Sequence, residues 1–327
     1  MSVRILVTGA AGFIGSNFVR RLLSGAYPGL GAVSVTVLDK LTYAGVLANL
    51  DPVADHPAYA FVRGDICDAE LLAELVPGHD AIVHFAAESH VDRSITEPSG
   101  FVLTNVLGTQ KLLQAAVECG VERFLHVSTD EVYGSIDTGS WDETSPLEPN
   151  SPYAASKASS DLLVRAFHRT FGLDTVTTRC SNNYGPYQFP EKVIPLFVTN
   201  LMAGEKVPLY GDGLNVRDWL HVDDHCAGIA LALQKGRSGE LYNIGGGTEL
   251  TNLELTRRLL AAMGADDSMV ERVADRKGHD RRYSLDISKI EEQLGYTPRV
   301  PLDQGLADTI EWYRAHPEWW RPLKDRP

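Results

Sequence analysis

The sequence predicts an α/β fold: a doubly wound parallel sheet with a smaller, mostly C-terminal lobe beside it. Three observations carry this. Short apolar runs recur at 3–8, 33–38, 59–62, 81–85, 124–128 and 175–179, and helical spacing fills the gaps that can be read. Nearly every run ends in a glycine or polar cluster. After Arg179 the texture becomes irregular, with many turn residues and prolines. The 327 residues suffice for one large domain or two modest ones, and 44% hydrophobic with 22% charged residues is ordinary for a globular chain. A net charge of −13 lacks the basic face that nucleic-acid binding needs, so no nucleic-acid partner is expected. It leaves room for an anionic small ligand, because a helix N-terminus and a few cations suffice for one. Cys67, Cys119, Cys180 and Cys226 are widely spaced without a C-x-x-C, as in reduced thiols of a cytosolic protein. The chain enters a strand pattern without a signal-peptide apolar region, and no run approaches the roughly 18 apolar residues of a membrane span. A cytoplasmic protein without a membrane partner is expected.

Taken in order, the run at 3–8 breaks at Gly9-Ala10-Ala11-Gly12-Phe13-Ile14-Gly15. Ile14, Phe18, Val19, Leu22 and Leu23 then follow helical spacing. A glycine turn between strand and helix lets backbone N–H groups approach a pyrophosphate, with the positive helix end behind it, as in Rossmann-type folds. The next run ends at Asp39, 24 residues after Gly15. A carboxylate there either binds adenosine ribose hydroxyls and repels a 2′-phosphate, favouring NAD over NADP, or caps a loop. Lys40 beside it weakens the contrast. The third run ends at Gly64-Asp65-Ile66 and the fourth at Ala86-Ala87-Glu88-Ser89-His90. Residues 101–119 read as helix, and the fifth run enters Thr129-Asp130-Glu131. In such sheets ligands bind beyond the carboxyl ends of the strands, where all these clusters fall.

Tyr153 and Lys157 form Y-x-x-x-K on one helix face, behind a Ser151-Pro152 cap pair. An ammonium beside a phenol favours the phenolate, so Lys157 is expected to bring Tyr153 towards neutrality. Such a pair takes a proton from an alcohol while a hydride leaves for a nicotinamide. Asp130 and Glu131 add two carboxyls beyond what that oxidation needs. From spacing alone they are either loop caps or an acid–base pair, with the Thr129 hydroxyl beside them. Arg217, Arg276 and Lys192 are either phosphate contacts or solvated surface. His90, His221, His225 and His279 show no metal-ligand spacing, and H-V-D-D-H at 221–225 lacks a third ligand, so no metal is expected. Residues 182–187 read as loop, Pro190, Pro195 and Pro208 interrupt the next stretch, and Trp319-Trp320 reads as packing. A strand at 241–244 is expected to return to the main sheet, ahead of a helix at 253–263. The division is thus 1–181 with about 222–247 for the cofactor domain, and 182–221 with 248–327 for the second lobe.

From Val3 to about Tyr296 the chain resembles the dTDP-glucose 4,6-dehydratases, a family of extended short-chain dehydrogenases/reductases. The resemblance rests on T-G-A-A-G-F-I-G (8–15), D-K-L-T-Y-A-G (39–45), A-A-E-S-H-V-D-R-S (86–94), S-T-D-E-V-Y-G (128–134), S-P-Y-A-A-S-K-A-S-S-D (151–161), N-N-Y-G-P-Y-Q-F-P-E-K (182–192), G-D-G-L-N-V-R-D-W (211–219) and D-R-K-G-H-D-R-R-Y (275–283). It implies a lyase reaction on tightly bound NAD. Tyr153 and Lys157 would serve oxidation at carbon 4 of dTDP-glucose, and Thr129 would bond the 4-oxygen. Glu131 would take the carbon-5 proton and Asp130 would protonate the leaving 6-hydroxyl, before hydride returns to carbon 6. The product, dTDP-4-keto-6-deoxyglucose, would feed rhamnose or a natural-product deoxysugar, as in antibiotic biosynthesis.

The same resemblance implies an NAD site. Gly9, Gly12, Phe13, Ile14 and Gly15 would cradle it at the turn, and Asp39, Lys40, Leu41 and Thr42 along the next loop. Asp65, Ile66, Phe85, Ala86, Ala87, Thr104, Tyr153, Lys157 and Asn183 would complete it. The nucleotide sugar would meet Ser89, Thr129, Asn182, Glu191 and Lys192 on one side. On the other it would meet Pro208, Leu209, Tyr210, Arg217, Asn252, Arg276, His279 and Tyr283. The family forms homodimers through helices that would lie near 101–119 and 152–170 here. Val46 stands where an Asn is usual, and Ala10 where a Gly is usual. Two rivals are a nucleotide-sugar epimerase or decarboxylase, which Asp130-Glu131 and the 182–192 motif oppose, and an NAD-sensing binding protein without catalysis, which the intact Tyr153 and Lys157 oppose.

Overall fold

The computed structural model describes residues 2–324. Its strands are β1 (Val3–Thr8), β2 (Val33–Asp39), β3 (Tyr59–Arg63), β4 (Ala81–His84), β5 (Arg123–Thr129), β6 (Thr175–Cys180), β7 (Asn182–Tyr184), β8 (Val207–Tyr210), β9 (Val216–His221), β10 (Leu241–Ile244), β11 (Glu249–Thr251) and β12 (Val270–Val273). Seven of them form one parallel sheet in the order β10-β6-β5-β4-β1-β2-β3. Alternate side chains of its central strands feed two cores, as a sheet covered on both faces requires. Ile5, Val7, Val83 and Leu125 pack with the helices Phe13–Leu23 and Val222–Lys235. Leu6, Ile82 and Phe124 pack on the other face with Leu112, Leu113, Val164 and Phe167. The strand at 241–244 does join this sheet, beside β6.

The second lobe has its own core, in which Phe197, Trp219, Leu255, Leu306, Tyr313 and Trp320 meet. Its β-structure is the three-stranded β11-β9-β7 and the pair β12-β8. Trp319 and Trp320 pack, as expected; Trp320 is buried, and Trp319 Nε1 donates to Asn49 Oδ1 at 2.9 Å. Val46 joins Phe189 and Leu323 in a small apolar cluster, so an apolar contact stands at the usual Asn position.

Three elements differ from the sequence reading. Residues 182–184 are strand β7 rather than loop, because they lie parallel to β9, with Asn183 opposite Leu220. A helix, Val193–Met202, runs through Pro195. That proline sits in the first turn, where its missing N–H has no intrahelical partner anyway. The helix expected at 101–119 begins at Pro98 and is π-wound over Val102–Gly108 before continuing as Thr109–Glu118. Within the wide turn Asn105 Nδ2 donates to the Glu88 carbonyl at 3.0 Å and to Ser156 Oγ at 2.8 Å. Such widened turns gather at functional sites.

Candidate active site

The glycine turn is shaped by close approach. Gly9 holds a left-handed φ of 73°, and a Cβ there would fall 2.4 Å from the Ala86 nitrogen. A Cβ on Gly15 would fall 2.7 Å from the Gly9 carbonyl oxygen. Gly12 precedes the helix Phe13–Leu23 with no side-chain cap, so the first helical N–H groups remain available to an anion. Asp39 ties the turn to the next loop: Oδ2 accepts from the Ala11 N–H and Oδ1 from the Leu41 N–H, both at 2.8 Å. Burial pushes this carboxyl up, and those two N–H groups pull it back. The Lys40 ammonium lies 2.6 Å from Asp65 Oδ2, so its charge is matched there rather than offered to a 2′-phosphate.

A cavity of about 310 Å³ opens at the carboxyl ends of these strands. Of the residues expected at the cofactor, the lining holds all but Leu41. Leu41 instead takes a left-handed φ of 57° that turns the loop. Asn183 reaches the cavity, but its carboxamide is held by protein: Nδ2 donates to the Ser181 carbonyl and Oδ1 faces His225 Nδ1, each at 2.9 Å. The narrow glycine cradle, the open helix end and Asp39 together fit a dinucleotide.

At the far end of the cavity the Ser151 hydroxyl accepts from the Ala154 N–H and starts the helix Pro152–Phe171. Tyr153 and Lys157 face the site from this helix. Lys157 Nζ donates to the Val127 carbonyl at 2.8 Å, and burial lowers its pKa to about 8. The expectation for Tyr153 needs correcting. Burial first, then the charge of Glu131, hold its phenol well above the usual value, with a Thr129 hydrogen bond opposing them. Lys157 is aimed at a backbone carbonyl, and Phe101 closes on the tyrosine ring, centroids 6.3 Å apart. The lysine alone does not make a phenolate here.

Asp130 and Glu131 follow β5 in a single 3-10 turn capped by Thr129, whose Oγ1 accepts from the Glu131 N–H and donates to Asp130 Oδ1, both at 3.3 Å. Their surroundings differ. Asp130 is 3% exposed, and its Oδ2 has no protein partner. Burial and then the Glu131 charge push its carboxyl well up. Burial also raises Glu131, but Arg276, Lys192 and Arg217 pull it down. Both carboxyls are raised, Asp130 the more strongly, and such a contrast suits an acid and a base in an elimination.

Those cations arrive from separate segments. Lys192 Nζ donates to the Ser89 carbonyl at 3.1 Å. The Arg217 guanidinium stacks 4.1 Å from the Tyr283 ring centroid and donates to the Val216 and Asp280 carbonyls. Arg276 lies 3.9 Å from Asp92. Glu191 accepts from the Tyr43 hydroxyl at 3.0 Å and faces Arg93. The Tyr210 ring meets His279 edge-on, which sits 2.6 Å from Asp275. Of the expected sugar-nucleotide residues, Ser89, Thr129, Asn182, Glu191 and Lys192 line the cavity, whereas Pro208, Leu209, Tyr210, Arg217, Asn252, Arg276, His279 and Tyr283 lie beyond its lining. Leu209 is 2% exposed and packs against Gly213, which leaves it little surface for a ligand. The Asn252 N–H is bonded to the Asn215 carbonyl at the start of the helix Asn252–Met263.

Sequence reasoning did not assign Glu88, Ser128, Cys180, Ser181, Gln188 or Phe189, all in the cavity lining. Position at a strand end was the available signal for Glu88, Ser128, Cys180 and Ser181. No group of His, Cys, Asp and Glu among the described residues is arranged to hold a metal ion, and no described helix is long and apolar enough to cross a membrane.

Fold and site together define a Rossmann-type, NAD-using enzyme, with Tyr153, Lys157, Asp130 and Glu131 gathered in one cavity. The profile of the GDP-mannose 4,6 dehydratase family matches residues 6–309. The dTDP-glucose 4,6-dehydratase of Streptomyces antibioticus is 64% identical over 326 residues, covering 99% of this chain and 96% of that one. The structure of DesIV, the dTDP-glucose 4,6-dehydratase of Streptomyces venezuelae, solved with NAD bound, superposes with a TM-score of 0.97 at 68% identity, over 98% of this chain and 100% of that one. A dTDP-glucose 4,6-dehydratase from Bacillus anthracis in complex with NAD gives 0.91 at 48%, with the same coverage. The chain belongs to the dTDP-glucose 4,6-dehydratase family of extended short-chain dehydrogenases/reductases.

Proposed function

We propose that this chain converts dTDP-glucose to dTDP-4-keto-6-deoxyglucose and water, with no net redox change. The observation that carries the reading is the adjacent carboxyl pair, Asp130 and Glu131, in one cavity with Tyr153 and Lys157. When bound, NAD takes a hydride from carbon 4 of the sugar and returns it to carbon 6. Gly12, Phe13 and Ile14 hold the pyrophosphate, and Asp39 the adenosine ribose. With the positive nicotinamide bound, that charge and the Lys157 ammonium together would favour the Tyr153 phenolate, which accepts the 4-hydroxyl proton, and Thr129 bonds the 4-oxygen. The 4-ketone acidifies carbon 5. Glu131 takes that proton, and Asp130 gives its own to the 6-hydroxyl, which leaves as water. Glu131 then returns a proton to carbon 5, and the proton gained by Tyr153 is lost to solvent while Asp130 takes one back, which restores the site. Lys192, Arg217 and Arg276 would meet the diphosphate, and their charges pull the Glu131 carboxyl down against its burial.

The division at 181/182, with 222–247 returning to the cofactor domain, gives most NAD contacts to one part and most sugar-nucleotide contacts to the other, with Ser89, Thr129 and Asn183 crossing it. The working unit is a homodimer. Val102, Leu103 and Leu162, between 54% and 56% exposed, lie on the two helices expected to pair. The four cysteines are free thiols, in keeping with the cytoplasm. The test is incubation of the purified protein with dTDP-glucose and no added reductant. A product one water lighter, bearing a 4-ketone, supports the reading. NAD-loaded protein that leaves the substrate unchanged, or returns only its 4-epimer, refutes it.

A further inference from the structure

Beneath Lys157, on the side away from substrate, lies a buried row of polar side chains that the proposed reaction does not use. Thr8, His84 and His126 are neighbours in register across β1, β4 and β5. His84 Nδ1 lies 2.7 Å from Thr8 Oγ1 and its Nε2 2.9 Å from Thr109 Oγ1, so both ring nitrogens are engaged. The His84 and His126 rings stand 5.4 Å apart. Asp161 closes the row from the helix Pro152–Phe171. It is placed four residues beyond Lys157 and eight beyond Tyr153, at the spacing that keeps side chains on one face. Arg179 Nε donates to Asp161 Oδ2 at 2.9 Å, and His126 Nε2 lies 3.2 Å from Oδ1. His126, Asp161 and Arg179 are all buried. A charge with no access to water is costly unless a partner compensates it, and here the partners are fixed by strand and helix alike.

We propose that Asp161 is a positioning residue for the alcohol step: the buried counter-charge, paired with Arg179 and beside His126, that keeps Lys157 an ammonium beneath Tyr153. The inference rests on the reading of Tyr153 and Lys157 as the oxidising pair. The titratable groups around the lysine come from its own helix and three strands. On its own helix are Tyr153 and Asp161. From β5 comes His126, from β4 His84, and from β6 Arg179 and Cys180. Both histidines are pushed down by burial, His126 to about 4, and stay neutral near pH 7. Burial raises Cys180, which stays a thiol. Tyr153 is likewise held neutral. Asp161 is depressed to about 2 despite its burial, by Arg179 first and then His126. It is therefore the one anion among these groups. It opposes the burial that brings Lys157 to about 8.

The test titrates Lys157 directly in the NAD-containing enzyme, by NMR of lysine labelled at the ε-carbon, with the signal assigned by its loss in Lys157→Met. Asp161→Asn is expected to lower the midpoint by about one pH unit or more, and Arg179→Met, which removes the opposing cation, to raise it. The alkaline limb of NADH formation on mixing with dTDP-glucose should move the same way in each variant. A purely structural role would scale that rate at all pH values and leave the limb in place. Should Asp161→Asn fail to fold, Arg179→Met decides alone: an upward shift supports the proposal, and an unmoved or lowered midpoint overturns it. If the parent enzyme makes no product from dTDP-glucose, the functional reading fails, while the NMR midpoints still decide the role of Asp161.

Discussion

Around the glycine turn the polar contacts are made by backbone: the Ala11 and Leu41 N–H groups to Asp39, and the first helical N–H groups behind Gly12. Around Glu131 the electrostatic balance is set by charged side chains from three separate segments, Lys192, Arg217 and Arg276. The first region recognises by shape and the second by charge. A shape-made site tolerates many side-chain changes but fails when a Cβ enters the cradle. A charge-made site keeps its shape through substitution but answers to salt, pH and the loss of a single cation.

Four variants test that contrast, in order of expected effect. Tyr153→Phe lies at the junction of the two regions and should cost about 10²- to 10⁴-fold in turnover, with no NADH formed on mixing and NAD content unchanged. Loss of NAD along with activity would show that the tyrosine belongs to the cradle. Gly15→Ala sets a Cβ 2.7 Å from the Gly9 carbonyl. Overpacking of about 1–3 kcal/mol should deplete NAD in the purified protein while dTDP affinity by calorimetry holds. Arg217→Met should do the reverse, raising KM about 10- to 100-fold and leaving NAD content intact, because a hydrogen bond to a charged group contributes about 1.5–3 kcal/mol. An unchanged KM would remove Arg217 from the diphosphate site.

The smallest effect concerns pH. Asp130 is raised in the folded state, so the native protein binds that proton more tightly than the unfolded chain does. Its contribution is fully present below the unfolded carboxylate range and is lost as pH rises through the raised value. Asp130→Asn should therefore melt higher than the parent at alkaline pH, with the gap closing towards about pH 4. A constant gap would mean that Asp130 does not titrate as described.

The cofactor half was legible because its signals are local. A strand, G-x-x-G-x-x-G, a helix and a carboxylate at the next strand end all fall within the first 39 residues, and the fold places them as the spacing implies. The Tyr153–Lys157 helix was legible for the same reason, down to its Ser151 cap. The state of Tyr153 was not, since burial and a carboxylate from another element outweigh the neighbour in sequence. The roles of Asp130 and Glu131 were undecidable from spacing, because Arg217 and Arg276 lie far along the chain. Strand β7 went unread because its partner, β9, is more than thirty residues away. Asp161 carried a signal that passed unused: the four-residue step from Tyr153 to Lys157 repeats once more.

On this reading a base at Glu131, distinct from the Tyr153 oxidation pair, performs the elimination. Glu131→Gln mixed with dTDP-glucose in deuterated water tests it most directly, with NADH followed by absorbance and carbon 5 by mass. NADH should still form while deuterium at carbon 5 falls by about 10²- to 10⁴-fold. Deuterium incorporation at the parental rate would contradict it, and would move the base to another residue of the cavity.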